Sequence, residues 1–459
     1  VRIIAGAGSG KTRVLMARIV YLVQDCGILP NRILAITFTN KAANEMKTRL
    51  TAQLGSMASV VRISTIHSLC VRMLREDADL IGYPKTFAIM DPEDQKAILK
   101  LIYKTLEVDK TTISYNRALG AISAYKTNYI DPQMAGNMAM DDVSITLAKI
   151  YAGYEKRRNE MKAMDFDDLL LEGHRLLNSV SSVREKWQNR LDYIHVDEFQ
   201  DVDPIQYGII KLLTGKNTHL CVVGDPDQTI YTWRGADAKL ISHVLPKDFK
   251  DLVTVILNAN YRSTQTILNT ANILINNNTD RDKKNLLAAS GLVGEDIDFK
   301  ILQSQDLEAK YIVSQIKDSV YRRNRKYNEI SIIYRSNYLS RALEMALAQA
   351  RIPYKIYGGF RFYDRASIKD ALAYLRVLIN PEDNASTLRI LQAPTRKIGP
   401  MSLANIVSFA DQNQISYLES IVNHIDELDI SSVSKSQLQN YKNALAKFNR
   451  YKFQSRKYC

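Results

Sequence analysis

The sequence predicts an α/β protein built on parallel sheets, and three observations carry that expectation. First, the apolar run Val1-Arg2-Ile3-Ile4 flows through a glycine-rich turn, Ala5-Gly6-Ala7-Gly8-Ser9-Gly10-Lys11-Thr12, into the helix-like stretch Arg13–Leu22. Second, short buried-strand patterns recur at 33–37, 60–64, 191–196 and 220–225, each ending in polar or acidic residues, as the strands of a parallel sheet do. Third, helical periodicity fills the intervals, the alternation that βαβ units require.

The glycine turn is the most specific of the three. Glycines let the backbone wrap close to a polyphosphate and aim successive N–H groups at it. Ala7, Gly8, Ser9 and Gly10 supply that wrap, and the helix opening at Lys11 adds its positive end to the same anion site. Lys11 is placed to reach the β- and γ-phosphates, and the Thr12 hydroxyl to take a position on Mg²⁺. Ala5 stands where the first glycine of the generic pattern is usual.

Composition bounds the partners. A chain of 459 residues holds roughly three domains at ~150 residues each. The net charge of +13 suits a polyanion, nucleic acid before membrane, since no basic amphipathic helix stands out. No run approaches the ~18 apolar residues of a membrane span, and no leader-like segment precedes the loop. Cys26, Cys70, Cys221 and Cys459 lack C-x-x-C spacing and read as reduced cytosolic thiols, so a cytoplasmic protein without membrane contact is expected.

In chain order, the 33–37 strand runs into Phe38-Thr39-Asn40, and the 60–64 strand into Thr65-Ile66-His67. Phe38 and His67 thus sit beyond carboxyl ends of strands, where open α/β sheets bind ligands; Phe38 there either stacks on a base or fills the core. From Tyr83 to Leu177 strand signals vanish, a helical insertion, with Asp165-Phe166-Asp167-Asp168 as a helix N-terminal turn. Asp197 and Glu198 close the next strand. Paired with a phosphate loop, such carboxylates hold Mg²⁺ (Asp197) and orient and deprotonate the attacking water (Glu198). Gln228 follows the next strand as a γ-phosphate sensor, and Tyr231 and Trp233 beside Arg234 suit stacking on unpaired bases. Strand patterns at 298–302, 330–335 and 352–359 suggest a second α/β region; beyond Phe360 the chain reads as helical, and Tyr451–Cys459 as basic without helical periodicity.

These blocks, AGAGSGKT (5–12), AITFTNKAANEM (35–46), STIHSL (64–69), DFDDLL (165–170), VDEFQD (196–201), GDPDQTIYTWRGAD (224–237) and NYRSTQTIL (260–268), in this order, resemble superfamily 1 DNA helicases of the UvrD/Rep/PcrA type. IYRSNYLSRALEMAL (333–347), IPYKIYGGFRFYDR (352–365) and KDALAYLRVLINPEDN (369–384) continue the likeness. The resemblance implies two RecA-like P-loop NTPase cores with parallel sheets, each carrying a helical insertion: 1–82 with 178–257, insertion 83–177, second core 258–362, and its insertion from 363. It implies ATP and Mg²⁺ as cofactors, with Arg13 at the nucleotide, Tyr261 stacked on adenine and Arg262 on the phosphates. Phe38, Thr39, His67, Tyr231 and Trp233 fall at positions that in the family lie along single-stranded DNA. ATP binding then closes the cores, hydrolysis reopens them, and alternating grip yields 3′-to-5′ stepping and unwinding at single/double-strand junctions, in repair or replication with protein partners. The family's adenine-reading segment before the loop and its last DNA and arginine-finger motifs are not found, so an incomplete chain with a truncated second core is expected. The alternatives are the helicase module of a recombination nuclease and an ATP-gated DNA-binding protein without motor activity. A kinase or GTPase is disfavoured, since no N-K-x-D follows the second carboxylate motif.

Overall fold

The computed structural model describes residues 1–278, 281–357, 366–393, 396 and 398–455. It divides into two compact units, Val1–Gly294 with Asp370–Cys459, and Glu295–Lys369. Ten strands are present among the described residues: β1 (Arg2–Ala5), β2 (Ile33–Thr37), β3 (Arg62–Thr65), β4 (Ala88–Ile89), β5 (Ala163–Met164), β6 (Tyr193–Val196), β7 (His219–Gly224), β8 (Thr254–Leu257), β9 (Ala259–Asn260) and β10 (Leu287–Ala288).

Six of them form one parallel sheet in the order β3-β2-β6-β7-β1-β8. Alternation along β2 shows why it is a central strand. Ile33 and Ala35 pack with Leu15, Ile19 and Met46, from helices Lys11–Gln24 and Asn40–Leu54, on one face. Leu34 and Ile36 pack with Leu69, Met73, Leu176 and Ile209, from helices Ile66–Asp77, Phe166–Ser179 and Pro204–Leu213, on the other. Both faces are covered, as a parallel sheet requires. Because all six strands run the same way, the loops after β1, β2, β3, β6 and β7 emerge at one edge. That edge is where the candidate residues gather.

The segment between β3 and β6 is helical as its periodicity predicts, apart from the short pair β4–β5. Its helices Pro92–Thr105 and Asp142–Glu160 share one core with Ala366–Ile379, Asn384–Gln392, Pro400–Asn413 and Ser432–Ser455, through Ile98, Ile102 and Tyr154 against Val377, Leu391, Ile406 and Leu438. The last helix runs on to Ser455, where the sequence shows no helical period. Once a helix is nucleated by packing, here at Leu438, each further residue adds a hydrogen bond and propagation no longer needs an apolar stripe.

In the second unit, helices Gln305–Tyr321 and Ser340–Gln349 pack through Ile316, Leu347 and Ile352. The strands expected at 298–302, 330–335 and 352–357 do not form ladders among the described residues. Phe299, Ile301 and Ile333 are exposed there; a parallel strand is stable only with paired neighbours and cover on both faces, and these segments have neither. Gly358 and Gly359 of the last expected strand lie outside the described residues. Among the described residues no helix is long and apolar enough to cross a membrane, and Cys26, Cys70 and Cys221 are free thiols.

Candidate nucleotide and nucleic-acid site

The loop after β1 is shaped by its own atoms. The Ser9 hydroxyl donates to the Gly6 carbonyl at 2.7 Å, and Gly8 and Gly10 take left-handed backbone angles, φ +71° and +86°. Gly10 caps the helix Lys11–Gln24 with no side-chain hydrogen bond, so no side chain competes for the amide groups of the first turn. The segment 258–263 closes over this loop. Tyr261 N–H donates to the Gly8 carbonyl at 2.8 Å, and the buried Asn260 carboxamide donates to Ala7 and accepts from the Arg262 and Ser263 N–H groups at 2.8 and 2.7 Å. A side chain on Gly8 would run into Asn260 and Arg262 Cβ, at 2.6 and 2.7 Å. Arg262 therefore roots directly against the loop. Its neighbour Tyr261 and the loop-side Arg13 are exposed.

The two carboxylates after β6 stand against the same loop. Thr12 Oγ1 donates to Asp197 Oδ2 at 2.9 Å, and Lys11 Nζ lies 3.1 Å from Glu198 Oε2 and 3.4 Å from Gln228 Oε1. A hydroxyl and a carboxylate oxygen side by side are the hard donors Mg²⁺ takes, so the residues present fit that ion. Burial, then the charge of Glu198, pushes the Asp197 carboxyl above its ordinary range, while Thr12 holds it back. Glu198 has φ +51°, in the left-handed region that a residue other than glycine adopts at a cost and keeps only where surrounding structure imposes it. Gln200 ties this turn to the next: its amide donates to Glu198 Oε2 at 2.8 Å and its carbonyl accepts from Asp225 N–H at 2.9 Å. Gln228 in turn donates to Asp225.

Three residues beyond Gln228 an aromatic cluster begins. Phe38 and Tyr231 stack with ring centroids 4.7 Å apart; Tyr231 lies 6.3 Å from Trp233; and the Arg234 guanidinium covers Trp233 at 4.6 Å. Trp233 is 72% exposed, whereas the other tryptophan, Trp187, is fully buried. His67 is T-shaped against Phe166 at 5.9 Å; burial, with Arg234 second, pushes its imidazole down to about 4. Thr39, placed on the same path by sequence, uses its hydroxyl to cap the helix Asn40–Leu54, accepting from Ala42 N–H at 3.1 Å.

Lys11, Thr12, Asp197, Glu198, Gln228 and Arg262 are thus drawn together, and Phe38, Tyr231 and Trp233 form a second group on the same sheet edge. Sequence reasoning gave no role to Asn260, Gln200 or Phe166. An asparagine before a turn, able to hydrogen-bond backbone two and three residues on, is the signal that marks Asn260.

Comparison with known proteins decides the lineage. The UvrD/REP helicase N-terminal domain matches residues 1–250, and the UvrD-like helicase C-terminal domain matches residues 255–458. The chain belongs to the UvrD/REP helicase family. Among its relatives, the ATP-dependent DNA helicase PcrA of Staphylococcus epidermidis is 44% identical over 437 residues, covering 95% of this chain and 59% of that protein. The same-named protein of Staphylococcus aureus is 43% identical over the same coverage. This UvrD/REP-family chain therefore spans 59% of the length of those relatives. Its six-stranded parallel sheet is that of a RecA-like core.

Proposed function

We propose that this chain is the ATP-driven motor portion of a DNA helicase, moving 3′ to 5′ along single-stranded DNA and opening the duplex at single/double-strand junctions, in repair or replication. Its relatives are named ATP-dependent DNA helicases. The observation that carries the reading is a single loop: Gln228 touches Lys11 of the phosphate loop, and three residues on Tyr231 stacks on Phe38. One short segment then meets both nucleotide and strand, which is the coupling a motor needs. The proposed organisation is a first core of 1–82 with 178–257, a helical insertion 83–177, a second core from 258 to 362 and a further insertion from 363. The proposed place of work is the cytoplasm, at the nucleoid.

In this reading Lys11 exchanges Glu198 and Gln228 for the β- and γ-phosphates, and Arg262 approaches the same charge from the segment that closes over Gly8. Thr12 and Asp197 hold Mg²⁺, which when bound screens phosphate charge and polarises the phosphoryl group. Glu198, released from Lys11, accepts the proton of the attacking water. Gln228 reads the γ-phosphate and passes its position to Tyr231 and Trp233, while Ala7, Ser9, Gly10 and Arg13 line the nucleotide and Tyr261 stacks on adenine. Phe38, Thr39, His67, Tyr231 and Trp233 hold the strand by stacking and polar contact that needs no particular base.

The test is ATP hydrolysis by the purified chain with and without single-stranded DNA, beside Lys11→Ala. DNA-stimulated turnover that the variant lacks is the expected result; strand-biased displacement of a 3′ or 5′ end block gives the polarity. Binding of DNA that responds to ATP, with no turnover, would replace the motor by an ATP-gated binding protein.

A further inference from the structure

The segment 281–288 makes an ionic contact that the residues discussed so far leave unexplained. Lys284 Nζ binds both Asp225 and Asp227, and Arg281 lies 3.0 Å from Asp227. All four side chains are more than nine-tenths buried. The group is neutral as a whole: two cations on one segment face two carboxylates on the loop after β7. The segment itself is seated on the phosphate loop. A side chain on Gly6 would meet Leu286 at 2.6 Å, and β10 pairs with β9 beside Asn260.

Asp225 is the hinge of this network. One of its oxygens takes Lys284, the other takes the Gln228 carboxamide N–H, and the first also accepts Asp227 N–H at 3.1 Å. With the amide nitrogen of Gln228 held on Asp225, its carbonyl oxygen is the atom left to face Lys11, as observed. A chain of polar contacts therefore runs Lys284–Asp225–Gln228–Lys11. It ends at the amine that the nucleotide reading assigns to phosphate. We propose that Lys284 is a positioning residue of the nucleotide site: by neutralising Asp225 and Asp227 it fixes the Asp225–Gln228 turn, sets the orientation of the Gln228 carboxamide, and keeps two carboxylates from opposing a polyphosphate. The role toward nucleotide rests on the function proposed above; the ordering of the turn does not.

The experiment therefore has two arms on the full chain, with Lys284→Met, Lys284→Arg and Asp225→Asn. In the first, amide hydrogen exchange without nucleotide is followed at residues 225–234. Lys284→Met and Asp225→Asn are expected to speed exchange there by about tenfold or more, while Lys284→Arg stays near wild type. Asp225→Asn leaves Lys284 paired with Asp227, so it reports on the turn even if Lys284→Met does not fold. Unchanged exchange at 225–234 in Asp225→Asn, or a rise spread evenly over the protein, overturns the proposal. In the second arm, binding of a fluorescent ATP analogue with Mg²⁺ is expected to weaken about tenfold in Lys284→Met and to recover in Lys284→Arg, because arginine restores the charge. Equal affinity in Lys284→Met and wild type overturns the nucleotide role. Failure of the wild-type chain to bind the analogue, with the exchange pattern as expected, would instead remove the proposed function and leave Lys284 as the anchor of the turn.

Discussion

Gly8 shows how much the site asks of one residue. Its φ of +71° costs a side-chain-bearing residue about 1–2 kcal/mol, and a Cβ there would also strike Asn260 and the root of Arg262. Gly8→Ala is therefore expected to lower the urea midpoint and to lose nucleotide affinity together, because relief of the clash must push 260–262 off the loop. His67 gives a second residue-scale expectation. Its imidazole titrates near 6.5 when unfolded and about 4 when folded, so the unfolded chain takes up the proton first. The stability that neutral His67 contributes is complete above pH 6.5 and drains away as pH falls toward 4. A His67 ring resonance that titrates near 6.5 in the folded protein would contradict the burial beside Arg234. At this scale the sequence was readable wherever chemistry dictates residue type: a lysine and a threonine behind glycines, and two acids at a strand end. It was silent where geometry decides. Asn260 and Gln200 matter because they bridge turns far apart in the chain, and nothing local to either announces the partner.

At the scale of elements, the helix Phe166–Ser179 is fixed at its start by unusually costly means. Asp165 and Asp168 form a reciprocal cap, and Lys126 is buried between them at 2.8 and 2.7 Å, with Glu155 at 2.9 Å. The Tyr154 hydroxyl donates to Asp165 at 2.9 Å. The acidic cluster was legible as a helix start, since carboxylates favour that end; the buried lysine facing it from another helix was not, because a lysine in an amphipathic stretch reads as solvent-facing. The arrangement holds Phe166 out of the core and against His67. Lys126→Met, which strands buried carboxylates, is expected to cost about 3–5 kcal/mol in urea unfolding. The strands expected within 298–359 mark the opposite case: apolar runs identify a segment able to pair, but pairing is a property of neighbours, and among the described residues of that unit the helices formed while the ladders did not.

For the molecule as a whole, the parallel sheet and the helical segment inside it follow from strand patterns that repeat around a helical interval, and the loops at one edge follow from parallel direction alone. The net charge of +13 leads to a prediction at this scale. Affinity for single-stranded DNA should fall steeply with salt, by a log–log slope of about −0.7 for each phosphate neutralised. Trp233 makes the measurement direct. Being exposed while Trp187 is buried, it should account for the DNA-dependent change in emission, and Trp233→Phe should abolish the signal; a signal kept in the variant would place the strand elsewhere.

The core shared by Ile98, Ile102 and Tyr154 with Val377, Leu391 and Leu438 has a consequence during synthesis. The first of these helices leaves the ribosome on the order of ten seconds or more before the last of its partners exists, at about 5–20 residues per second. Through that interval an apolar face waits uncovered, a ready client for a chaperone and a seed for aggregation. Codon choices or a chill that slows translation between 160 and 366 should therefore lower soluble yield more than equal slowing beyond Leu438.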